Sequence, residues 1–253
     1  MSGHVSIEIC VDSVASAMAA DLGGADRVEL CSSLSEGGVT PSFGLLELVQ
    51  SRISIGLQVM IRPRAGDFCY TPDEFETMRR DILVARKIGA DGIVLGILLP
   101  DGTVDIERTI RLVELARPLN VTFHRAFDVA TDLFQALEDV CASGVDRVLT
   151  SGGEPAAMLG IDTIARLVQA ARGRIAIMAG GGIRVHNAVT IVEQTGVQEI
   201  HSSLGSSTDS RTDLHTDYPA NARLAFGHPG FDLRQEDVRN LREAVEADRG
   251  SNR

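Results

Sequence analysis

Apolar and polar residues alternate in short runs along most of this chain, and the runs recur at a regular spacing. VSIEIC from Val5, LQVMIRPR from Leu57, NVTFHRAF from Asn120 and RIAIMAGG from Arg174 each read as a strand. Four further strand-like runs share a lead-in: Gly24-ADRVELC, Gly89-ADGIVLG, Gly144-VDRVLTS and Gly196-VQEIHSS. Each starts with glycine, a small apolar residue and a polar pair, which makes an internal repeat. Between strands the period changes to that of a helix, as in Thr77 to Ala90 and Leu133 to Gly144. The repeat glycine suits the position just past a helix C-terminus, where the chain turns into the next strand.

Strands that alternate with helices imply parallel crossover connections and an α/β fold. Eight of them in about 200 residues predict a single closed (β/α)8 TIM barrel. An open doubly wound sheet competes with it, but would show a GxGxxG turn after the first strand, where this chain has CVDSVAS. The expectation is one domain over 1–253, with the barrel at about 5–225. A polar, loop-like stretch from Gly205 to Gly230 and a C-terminal helix over Arg234 to Asp248 close the chain.

Charge narrows the partners. The net charge of -11 argues against a nucleic-acid or acidic-membrane surface, and a single lysine, Lys87, leaves little room for lysine chemistry. Four cysteines without a CxxC do not make a disulfide framework, and MSGHVSIEIC lacks the basic and apolar regions of a leader. No run approaches the length of a membrane span. A reduced, cytoplasmic protein is expected.

Side chains two apart on a strand share a face, so in a barrel the inward residues at the strand ends form the mouth. Those ends supply Glu8 and Cys10, Glu29 and Cys31, then Arg62 and Arg64 with the loop containing Asp67 and Cys69. They continue with His124, Arg125 and Asp128, Ser151 after strand six, Gly180 to Gly182 after strand seven, and His201, Ser202 and Ser203. Glu8, Glu29, Arg62, His124, Arg125 and Asp128 are the candidate catalytic set, with Glu8 or Glu29 as acid/base and Arg62 and Arg125 as a substrate clamp. Ser151, Gly180, Gly181, Gly182, Ser202 and Ser203 are candidate anion ligands, because glycine turns expose amides to an oxyanion. Arg62 and His124 would add positive potential, and Glu29 is expected to face Arg62 or a ligand. The competing reading is a buried ionic network that fills the barrel, with the cysteines as small hydrophobes and Cys141 packing on a helix. A Schiff-base aldolase is disfavoured because Lys87 falls in a helix, and an HxH metal hydrolase because no such pair occurs.

The motifs EIC, GADRVELCSSLSEGGVTPSFG, IRPRAGDFCY, VTFHRAFD, VLTSGG and IMAGGGIR with EIHSS, in order over residues 5 to 203, resemble the CutC family, named for copper homeostasis. The resemblance implies a TIM barrel, a cytoplasmic homodimer and a copper-binding role. It also implies copper ligands at Cys10 and Cys31, in EIC and ELC, with Cys69 as a weaker third. Neighbouring strands about 4.8 Å apart let two inward thiols share a soft ion such as Cu(I). The alternative is an isomerase, lyase or hydrolase acting on a small anionic metabolite, phosphorylated or not.

Overall fold

The repeat glycines turn the chain where the pattern places them. Gly24, Gly89, Gly144 and Gly196 all have positive φ, from 74° to 87°, and each stands between a helix and the following strand. Helix starts are equally legible. In Pro72–Ile88 (α3), Thr71 and Glu74 form a reciprocal capping box, and the buried face is Phe75, Met78, Ile82 and Ala85.

The computed structural model describes residues 4–208 and 230–251. Strands β1 (Ser6–Val11), β2 (Arg27–Leu30), β3 (Gly56–Met60), β4 (Gly92–Leu95), β5 (Asn120–Phe123), β6 (Arg147–Thr150), β7 (Ala176–Gly180) and β8 (Glu199–Ser202) pair in chain order. β8 pairs back to β1 in parallel, which closes the barrel. Helices α1 (Val14–Leu22), α2 (Phe43–Gln50), α3, α4 (Ile106–Ala116), α5 (Leu133–Ala142), α6 (Ile161–Ala171) and α7 (Val185–Thr195) follow the first seven strands.

The alternation of the strands divides the molecule into two interiors. Outward residues such as Ile7, Ile9, Val28, Leu30, Leu57, Val59, Ile93 and Leu95 are buried between the barrel and its helices. This layer is the apolar core. Inward positions carry Glu8, Arg27, Glu29, Gln58, Thr122 and Arg147 instead, so the barrel lumen is polar.

The C-terminal helix, Gln235–Ser251 (α8), is the eighth helix of the ring and not an appendage. It packs against α1 and α7, burying Val238, Leu241 and Val245. Gly23 permits this approach, since a Cβ there would stand 2.5 Å from the Cβ of Val238. Between β8 and α8, Ser206–Thr208 (β9) and Gly230–Asp232 (β10) form a two-stranded antiparallel ribbon. The expected barrel boundary near 225 and most of the polar stretch before Gly230 lie outside the described residues.

Arg242 fastens α8 to the base of the barrel. It donates to the carbonyls of Val5 at 2.8 Å and Gly24 at 3.0 Å, and pairs with Asp26. Arg242→Ala is expected to lower unfolding free energy by about 2 kcal/mol, as for loss of hydrogen bonds to a charged group. Urea denaturation measures it; an unchanged midpoint would mean that α8 is held by its apolar face alone.

Candidate functional site

The floor of the lumen is an ionic network that binds four strands together. Arg27 on β2 donates to Glu8 on β1 at 2.6 Å and to Glu199 on β8 at 2.5 Å. Arg147 on β6 pairs with the same Glu199 and donates to Thr122 on β5 at 3.3 Å. Glu8 is fully buried, and its second oxygen is hydrogen-bonded at 2.8 Å to Nδ1 of His201. Burial alone would raise the Glu8 pKa, but Arg27, His201 and Arg147 outweigh it and bring the carboxyl down to about 2. Glu8 is therefore an ionised anchor enclosed by partners, at a level below the mouth.

One layer higher the chemistry changes. The stagger of the barrel aligns Cys10 with Glu29 and not with Cys31. The two thiols still meet, with Sγ atoms 3.7 Å apart. Cys31 is fully buried and Cys10 opens to the cavity above. A Cβ at Gly38 would stand 3.2 Å from the Cys31 sulfur and 3.4 Å from Cε of Met60, so both sulfur side chains abut one glycine. Cys10, Cys31, Met60 and Val94 form a small apolar cluster of their own. The hydrogen bond to Cys31, burial and the nearby Glu29 push the Cys10 thiol well above its usual pKa, which keeps it protonated.

Glu29 faces His201, at 3.8 Å from Nε2, and does not face Arg62. Its other oxygen is buried without a partner. Burial raises the Glu29 pKa against the pull of His201, while the Glu8 charge raises it further. His201 loses from burial but gains more from Glu29 and Glu8, so its pKa is raised. One donor atom each from Cys10, Glu29 and His201 lies within 4.8 Å of the others, the spacing of a metal-ligand cluster.

Above this layer opens a cavity of about 410 Å3 at the C-terminal ends of the strands. Arg62 lines it at 5% exposure. Its terminal nitrogens donate to the carbonyls of Glu36, Gly38 and Gly66 at 2.8, 2.9 and 2.8 Å, so the guanidinium staples the loops after β2 and β3. These acceptors are neutral, and Nε has no partner. His124, on the facing wall, accepts from the amide of Ala126 through Nδ1 at 3.1 Å. That bond places the ring proton on Nε2, a buried donor with no acceptor. Burial and the Arg62 charge drop the His124 pKa to about 3, so it supplies a neutral N–H and not the expected positive charge. Phe68 lies between the two, its ring 5.0 Å from the His124 ring and 5.0 Å from the Arg62 guanidinium carbon. Gly96 makes room, since a Cβ there would meet the imidazole at 2.5 Å.

The remaining expected residues divide by position. Arg125, Gly181, Gly182, Ser202 and Ser203 line the cavity. Gly180 does not; it admits Leu149, whose Cδ1 a Cβ would approach at 2.4 Å. Asp128 and Ser151 are turned into the loop after β6. Asp128 accepts from Arg125 at 2.7 Å and from the amides of Ser151 and Gly153 at 3.0 and 3.1 Å. Ser151 is buried between Asp128 and Arg125, at 2.9 and 2.7 Å. Cys69 and Cys141 lie away from the cavity, half-buried. His201, noted at the end of strand eight but given no role, and Met60 and Phe68, not singled out, are absent from the candidate sets. The first two were legible by period, as Glu199–His201–Ser203 and Gln58–Met60–Arg62 each place alternate residues inward. Phe68 sits on a loop and carries no such signal.

Comparison with known proteins finds relatives of this chain in both sequence and structure. The CutC family model matches residues 5–206. The human copper homeostasis protein cutC homolog is 51% identical over 204 residues, covering 81% of this chain and 75% of its own. A CutC family protein from Chromobacterium violaceum is 45% identical over 246 residues, covering 95% and 98%. The crystal structure of CutC from Streptococcus agalactiae superposes with a TM-score of 0.75 at 34% identity, covering 79% of this chain and 98% of that one.

The Glu8 network makes an acid-stability prediction. A depressed carboxyl contributes stability above its ordinary value of 4.5 and loses it as pH falls through its folded value of about 2. The loss across that window is on the order of 3 kcal/mol for this one group. In Glu8→Gln the fall in unfolding free energy below pH 4.5 is expected to shrink by that order. Urea unfolding at stepped pH checks it, and an identical acid limb in both proteins would assign the titration elsewhere.

Proposed function

The chain belongs to the CutC family, and on that footing we propose that it is a copper-homeostasis protein that binds Cu(I) as cargo between Cys10 and Cys31. The observation that carries this reading is the 3.7 Å separation of two buried sulfurs, one on β1 and one just past the end of the neighbouring β2. Thiolate sulfur sits about 2.3 Å from a bound ion in zinc sites, so one ion of similar size spans such a pair. The donor set fits the cargo. Soft sulfur selects Cu(I), and the Met60 thioether beside the pair adds a further soft group within an apolar cluster.

The harder trio of Cys10, Glu29 and His201 is the competing donor set. In it the His201 Nδ1 contact with Glu8 would orient the ring for ligation through Nε2, but Glu29 and Glu8 also raise its affinity for the proton that a metal must displace. The family resemblance further implies a cytoplasmic homodimer, and a reduced compartment would keep the dithiol available. The charge of -11 gives no support to a nucleic-acid partner.

Competition against a chromophoric Cu(I) chelator tests the assignment. Cys10→Ser and Cys31→Ser are each expected to weaken Cu(I) binding by more than about 100-fold, the upper end of the cost of losing an outer-shell partner. His201→Ala should have a smaller effect; the reverse order would move the metal to the carboxylate–imidazole trio. Because Cys10 is protonated when metal-free, apparent affinity should rise with pH by about tenfold per unit for the proton it releases. A flat profile near neutrality would argue against Cys10 as a ligand.

A further inference from the structure

Copper bound by sulfur does not use the upper wall of the cavity, and that wall holds the most unusual unpaired groups in the described residues. Arg62 is 5% exposed, and among those residues its guanidinium meets carbonyls and no carboxylate. A buried cation without a counter-charge costs several kcal/mol unless something neutralises it. Its Nε–H and the Nε2–H of His124 are both buried without an acceptor in hydrogen-bond geometry, the Tyr70 hydroxyl that interacts with the Arg62 side chain is likewise unpaired, and Phe68 packs against both Arg62 and His124. Neither donor is free to turn away. The Arg62 terminal nitrogens are tied to two loops, and the His124 ring is fixed by the Ala126 amide and by the space left at Gly96.

Elsewhere in the cavity stands a second group of donors. Arg125 is held by Asp128 through Nε and by Ser151 through Nη2, while Nη1 stands against Gly181, whose Cβ position would be 3.5 Å from it. Gly181 and Gly182 turn through φ of 100° and 72° on the lining. The carboxylates that share the cavity lie to one side: Glu29 is on the floor with His201, and Glu36 is exposed at the rim.

We infer that this cavity is a binding site for a small organic anion. A carboxylate or phosphate oxygen of the ligand accepts from Arg62 Nε–H and His124 Nε2–H, and a second polar end reaches Arg125 and the Gly181–Gly182 turn. The charge of Arg62 selects an anion. The neutral His124 donor adds direction, because its single N–H is unpaired on a fixed side chain that lines the cavity and serves an acceptor only. The volume of about 410 Å3 lies within the range of small-molecule sites. The inference stands apart from the copper assignment, since neither donor is a proposed metal ligand.

The test uses copper-free full-length protein and two probes, glycerol 3-phosphate and malonate, which separate a phosphate from a carboxylate ligand. Isothermal titration is expected to give saturable binding of at least one probe, and the Nε2–H signal of His124 should move as that probe is added. His124→Asn keeps an oxygen acceptor for the Ala126 amide but deletes the ring donor. It should weaken binding by at least about tenfold, as for a hydrogen bond to a charged group. The thermal midpoint of the unliganded variant and the wild-type His124 signal keep the outcome readable if folding suffers. Failure of both probes to bind wild-type protein overturns the proposal. So does binding that survives His124→Asn but is lost in Arg125→Gln, which would put the oxyanion on the glycine turn alone.

Discussion

The arrangement of this barrel depends on four charged side chains that cannot be buried singly. Glu8, Arg27, Arg147 and Glu199 come from four strands and meet in the lumen, with Arg27 between two carboxylates and Glu199 between two guanidiniums. Each is affordable in a low-dielectric interior only because the others are present. The network therefore requires a closed barrel, since Glu8 on β1 meets Glu199 through Arg27 only when β8 returns to β1. Apolar packing outside the strands supplies the bulk of the core, and the charged floor ties β1, β2, β6 and β8 together across the lumen.

That floor also decides where reactive chemistry is available. Glu8 is enclosed by Arg27 and His201 and has no free oxygen, so the carboxylate nearest the chain start serves as an anchor. Glu29, two residues from Cys31 and aligned with Cys10, retains a free oxygen. His201 joins the two layers, with one nitrogen on Glu8 and the other toward Glu29. The lumen thus ascends from saturated charge, through paired sulfur, to orphaned donors at the cavity wall. A soft cation suits the middle layer and an oxyanion suits the upper one, for opposite electrostatic reasons.

Much of this order could be read along the chain. The repeat glycines marked four helix ends, and the alternation of strands and helices implied closure. The inward faces followed from period two, which put Cys10, Glu29, Arg62 and His124 among the candidates, whereas Leu34, Glu36, Met60, Phe68 and Leu149 of the cavity lining were not. What failed was the pairing of residues. Glu29 was expected to face Arg62 or a ligand, and the Arg62 arm of that expectation fails because the guanidinium ends on loop carbonyls. Asp128 and Ser151 looked like mouth residues because they sit at strand ends, but their short side chains satisfy each other and the turn amides. His124 was expected to carry charge, and burial beside Arg62 makes it neutral. The last helix looked additional because a long polar stretch separates it from β8, and only its packing against α1 and α7 shows that it completes the ring.

The sequence by itself determined the elements, their alternation and the face on which each polar residue lies, because these depend on local periodicity and on turn chemistry within a few residues. It also carried the motifs that mark the family. Tertiary structure alone decided which inward groups meet, which are neutralised and which remain without a partner. Glu8 and His201 are 193 residues apart in the chain, and Arg27 and Glu199 are 172 apart. Their contact is set by the stagger of a closed sheet, a property of eight strands together that no single stretch of sequence contains.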